Sequence, residues 1–167
     1  MAYQSHFVHA DRIIAHLGSL RGPTLDPLLE AKYVGFVAVA CVTVFEMAIK
    51  EILTTFADKK HQVLGSFIRH SCERMNGRIQ LDSLKPNYIF PLGLKYKERF
   101  DKKIDQTART TLRTQRRDIR ASYKNIILWR HGFAHSATIG TATWTEVVQA
   151  YEDGKEIIRC LHESLVR

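Results

Sequence analysis

Residues 28–56 run for 29 positions without a breaker pair, between Pro27 and the polar residues that begin at Asp58. The middle of this run, from Tyr33 to Phe45, is 13 residues interrupted by Thr43 and closed by Lys32 and Glu46. Val37, Val39, Val42 and Val44 keep a strand open as an alternative, but the length and the strong helix formers toward the end favour a helix. A 13-residue apolar stretch is too short to cross a bilayer, so the element reads as a buried central helix. The rest of the chain must then supply its walls.

Several further elements have helical periodicity. Phe7, Ala10, Ile13, Ile14, Leu17 and Leu20 recur every three or four positions, predicting a helix over residues 3–20 that Gly22 and Pro23 end. A short helix is predicted over residues 61–76, with Asn76 and Gly77 as its stop, and a proline-bounded loop over residues 82–93. Leu94, Phe100, Ile104 and Ala108 fit a weakly amphipathic helix, and Ile119, Tyr123, Ile126, Ile127 and Arg130 a further one. Thr143 three residues before Glu146 is a capping box. The last helix, Trp144 to Leu165, tolerates Gly154 at about 1 kcal/mol relative to alanine. With no alternation of strands and helices and no internal repeat, the expectation is one all-α domain over residues 1–167, an antiparallel bundle of five or six helices.

Three widely spaced cysteines, Cys41, Cys72 and Cys160, read as reduced core thiols of a cytoplasmic protein. No zinc-type cysteine spacing and no signal-peptide stretch in residues 1–16 is visible. The net charge is +8. Eleven basic residues against four acids between positions 95 and 124 give a surplus of seven, nearly the whole excess. Such a stripe is either a solvated helix face or a surface for a polyanion. It leads in sequence straight into residues 126–136, which favours nucleic acid, with Arg113, Arg116, Arg117, Arg120 and Lys124 as candidate RNA contacts.

Residues 126–136 are an apolar helical run that delivers Arg130, His131 and, five positions after the arginine, His135. An arginine at the end of an apolar stripe needs an anion or a carboxylate. Arg130-His131-x-x-x-His135 resembles the Arg-x4-6-His motif of the HEPN superfamily, small all-α bundles that include ribonucleases and prokaryotic toxin and defence nucleases. The string from Leu128 to His135 is similar to the signature of the RiboL-PSP-HEPN group. Glu46 and Lys50, on the long second helix, are similar to the acidic ExxxK position that accompanies the motif. Two positions after the histidine, where a toxin branch controlled by a nucleotidyltransferase carries tyrosine, this chain has Ala137. Control by tyrosine modification is therefore not expected there.

The resemblance implies a metal-independent endoribonuclease, a toxin or defence effector, with no cofactor and with RNA, a second copy and an antitoxin or other regulatory protein as partners. Cleavage by attack of the RNA's own 2′-hydroxyl leaves a 2′,3′-cyclic phosphate and a 5′-hydroxyl. It needs a proton carrier, for which histidine suits, and a cation on the phosphorane. His135 is accordingly assigned to proton transfer, Arg130 to bidentate phosphate binding, and His131 to orienting the phosphate or donating a proton. On an ideal helix Arg130 and His135 point roughly 140° apart. That geometry and the resemblance both imply a composite site across a homodimer axis. Three other readings stay open: a buried Arg130–Glu46 ion pair, a zinc pair formed by His131 and His135, and a non-catalytic HEPN-like module that binds RNA or protein.

Overall fold

The computed structural model describes residues 2–136 and 142–166. Its elements are a 3-10 turn (Ala2–His6), α1 (Phe7–Ser19), α2 (Pro27–Asp58), α3 (Gln62–Glu73), α4 (Leu81–Leu84), α5 (Leu94–Gln115), α6 (Ile119–Ser136) and α7 (Trp144–Leu165). Among the described residues every regular element is helical. Seven α-helices stand among the described residues where five or six are expected. The additional one is the single turn α4, which opens the segment predicted as a loop. There the chain continues through a π turn (Lys85–Ile89) and a 3-10 turn (Phe90–Leu92). Pro86 and Pro91 each occupy the start of a turn, where a missing N–H costs nothing.

The apolar run is a single 32-residue helix, about 48 Å long. Asp26 caps it, its carboxylate accepting from the Leu28 and Leu29 amides, and Pro27 supplies the fixed φ of the first turn. α2 is the axis of the bundle, packed by α1, α3, α6 and α7. Phe45 lies at its centre, its ring stacked 5.6 Å from Tyr151 of α7 and tilted by 34° to Tyr123 of α6 at 5.8 Å. A β-carbon on Gly154 would stand 2.3 Å from the Phe45 ring, so only glycine lets α7 come this close.

The chain ends are tied together. The Tyr151 hydroxyl is shared between the Asp11 carboxylate at 2.9 Å and the Phe7 carbonyl at 3.1 Å, and Phe7 packs edge-on against both Phe45 and Tyr151. The capping box at Thr143 and Glu146 is formed in both directions. All three cysteines are buried and free. Burial pushes the Cys72 thiol up to about 11. No helix among the described residues is long and apolar enough to cross a membrane.

Candidate active site

Arg130, His131 and His135 lie on α6, which runs without a break through Ser136. The helix therefore keeps the angular separation that its sequence implies. The His131 and His135 rings stand 4.3 Å apart, centroid to centroid, tilted by 56°. They continue an exposed row through Lys124 and Leu128, spaced by four, three and four residues. Arg130 turns away from that row and toward the body of the protein.

What receives it is a tight turn after α3. Asn76 and Gly77 both have positive φ, 34° and 78°. Gly77 presents bare backbone, and a β-carbon there would stand 3.3 Å from Arg130 Nη1. On its other flank, the Gly77 amide donates to Glu46 Oε2 at 2.7 Å. The second Glu46 oxygen takes the Lys50 ammonium at 2.6 Å. Glu46, Lys50 and Arg130 are thus gathered round one glycine, although Glu46 is 84 positions before Arg130. The asparagine–glycine pair was legible as a helix stop; its service to Arg130 was not.

No ion pair joins Arg130 to Glu46 or to any other carboxylate among the described residues. Its Nε is buried and has no hydrogen-bond partner among the described residues. A guanidinium held in this way keeps its charge uncompensated and suits an incoming anion. The end of α6 is seated by Phe133, whose ring lies where a β-carbon on Gly35 would be, 2.1 Å away, and Lys32 sits 5.8 Å above that ring. Phe133 and Gly35 were not singled out from the sequence; only contact between α6 and α2 reveals them.

The candidate RNA contacts separate in space. Arg113 and Arg116 are exposed at the end of α5, with Arg116 in the left-handed cap, φ 54°. Arg117 reaches Asp153, buried on α7, at 3.3 Å, and Arg120 pairs with Asp105. Lys124 shares the outer row of α6 with the two histidines. The α5–α6 elbow is about 18 Å along the axis from His131, so closeness in sequence to the motif is not contact with it. Among the described residues no group of three or more potential ligands could hold a metal ion. Ala137 lies outside the described residues.

Residues 5–167 match the family model RiboL-PSP-HEPN. The chain belongs to the RiboL-PSP-HEPN family. No curated protein and no solved structure matches it. The match covers every helix of the bundle, so in this HEPN domain the Arg130–His135 segment and the Glu46–Lys50 pair belong to one family unit rather than to an appended piece.

Proposed function

We propose that this RiboL-PSP-HEPN domain is a metal-independent endoribonuclease acting on single-stranded RNA, a toxin or defence effector whose site is completed by a second copy. The observation that carries the reading is the Arg130 guanidinium, without a carboxylate among the described residues, one and five positions before two imidazoles in mutual contact. One imidazole takes the 2′-hydroxyl proton as that oxygen attacks phosphorus. The bond to the 5′-oxygen breaks, and the other imidazole returns a proton to the leaving oxygen. Arg130 holds the two non-bridging oxygens as charge grows on them. The products are a 2′,3′-cyclic phosphate and a 5′-hydroxyl.

Within one chain Arg130 faces the Gly77 turn and the imidazoles face outward, which supports a site shared by two copies. Exposed Phe36 and Met47 on α2 and Leu128 on α6 lie on the two helices that carry the motif, and suit burial against a partner. The test is cleavage of single-stranded RNA in EDTA with end-group analysis. Cyclic phosphate ends are expected from the parent and their loss from His135→Ala; equal cleavage by both would refute the assignment.

A second reading, a non-catalytic HEPN-like binding module, is favoured by the packing of Arg130 against Gly77. Melting curves of Arg130→Ala, measured beside cleavage, separate the two. A structural arginine lowers the melting temperature. A catalytic one abolishes cleavage in a protein that still melts near the parent.

A further inference from the structure

The positive surplus divides in two once partners are known. Lys85 and Lys97 meet Asp101, Lys103 meets Glu163, Arg117 meets Asp153, and Arg120 meets Asp105. Lys102, Arg109, Arg113 and Arg116 meet no carboxylate among the described residues. Lys102, Arg109 and Arg113 share one face of α5, and Arg116 follows in its left-handed cap. With Lys95 and Arg99 these cations recur at 95, 99, 102, 109, 113 and 116, and Gln106 fills the vacant step of an unbroken three-four-three spacing. All seven positions are exposed, while Tyr96, Phe100, Ile104 and Thr111 on the opposite face are buried. From Lys95 to Arg113 the row measures about 27 Å.

The helix's acids do not cancel it. Asp101 is held by Lys85 and Lys97, and Asp105 by Arg120, which leaves Glu98 beside the row. Like charges three and four residues apart repel and weaken a helix. A bound polyanion would relieve that repulsion. Beside the row the exposed aliphatics are Leu94 and Leu112, near opposite ends of α5, and the Tyr96 ring under Lys95 and Arg99 is buried. The face therefore offers no stacking platform for bases and no cluster of apolar anchors of the kind on which affinity for a protein usually rests.

We propose that the outer face of α5 is a track for the phosphate backbone of long single-stranded RNA, a binding site apart from the Arg130–His135 motif. The proposal rests on the reading of the chain as acting on RNA, and extends it. Recognition here is of charge along a strand, without sequence preference, so the RNA must be long enough to reach the motif and still lie along α5.

The test is a salt titration of binding, by fluorescence anisotropy, of labelled oligouridylate of about twenty nucleotides to the full chain carrying His135→Ala, in EDTA. Adding K102Q, R109Q and R113Q together removes three phosphate contacts. The slope of log K against log salt should then fall by about 2, and affinity roughly 100-fold at 0.1 M salt. R12Q and R74Q together remove exposed charge from α1 and from the end of α3, which do not pack on α5, and should change affinity by no more than about twofold. The α5 variant should melt no lower than its parent, because repulsion has been relieved.

Equal binding by the α5 variant and its parent would overturn the proposal, as would an equal loss in the control or a clear drop in melting temperature. Competition by polyglutamate as effective as by oligouridylate of the same charge would instead assign the face to an acidic protein, and also overturn it. Cleavage plays no part in this titration. Failure of the ribonuclease reading would show as uncut RNA with the parent sequence while the salt slope persists.

Discussion

Glu46 and Arg130 meet the same glycine without meeting each other. The carboxylate accepts the Gly77 amide at 2.7 Å, and the guanidinium packs where a Gly77 side chain would begin, 3.3 Å from it. Glu46 therefore acts on Arg130 through the backbone of a turn. The acidic position and the motif arginine are linked by steric fit rather than by charge pairing.

Gly77→Ala tests that link. Alanine at φ 78° is strained by about 1–3 kcal/mol, and its methyl group crowds the guanidinium, which must give by a few tenths of an ångström. The melting temperature should fall, and RNA cleavage should fall further than the lost stability accounts for. Activity assayed well below the melting transition checks this; unchanged cleavage would remove the turn from the site.

Gly35→Ala should be destabilising although alanine is the better helix former. The gain in propensity is about 1 kcal/mol, whereas the new methyl group overlaps the Phe133 ring, and overpacking of this kind costs about 1–3 kcal/mol. Chemical denaturation should show a net loss. Combining it with Phe133→Leu should recover part of that loss, since the two positions touch.

Removing Arg117 should cost far more than removing Arg113. Arg117→Ala leaves the Asp153 carboxylate buried on α7 without its cation, a change of about 3–5 kcal/mol. Arg113→Ala alters an exposed cation with no carboxylate partner among the described residues, and should fall within about 0.5 kcal/mol of the parent. Paired urea melts decide it.

Acid should weaken the seam between α5 and α7. Lys103, donating to Glu163, holds that carboxyl below the usual carboxylate range; burial opposes the shift, and Arg159 reinforces it. A lowered folded value means that the stabilisation is complete above the unfolded value of about 4.3 and is lost as pH falls through the folded one. The pair is about one-third exposed, so Glu163→Gln should cost only about 0.5–1 kcal/mol at neutral pH. The difference between variant and parent should vanish in acid, which melting curves from pH 7 to pH 2 would follow.

Much of this architecture was legible because periodicity reports which face of a helix is buried. The apolar run became α2, the Thr143 cap formed, and the cysteines went inside, each for reasons local to a few residues. The helical turns of residues 81–92 fall in the stretch 82–93 whose prolines predict a loop, because proline marks a break without fixing the conformation beyond it. The resemblance to HEPN proteins rested on Arg130, His135 and Glu46, and the family match upholds it. The enclosure of Arg130 was not legible. Gly77, Gly35 and Phe133 matter only through contacts between helices distant in sequence, and the charges near Arg117 separate into engaged and unengaged only when Asp153 and Asp105 are located.

The hydroxyl of Tyr151, resting on Phe7 and Asp11, joins the first helix to the last across some 140 positions. Until α7 arrives, Phe7 lacks one of its edge-on partners and Phe45 lacks the ring that stacks on it. During synthesis from the N-terminus the growing chain can form helices early, but the core of the bundle closes only when α7 has emerged. The elements bearing Glu46 and Arg130 are made well before the element that locks them in register. The last helix of the bundle thus decides when the motif's two halves are held in place.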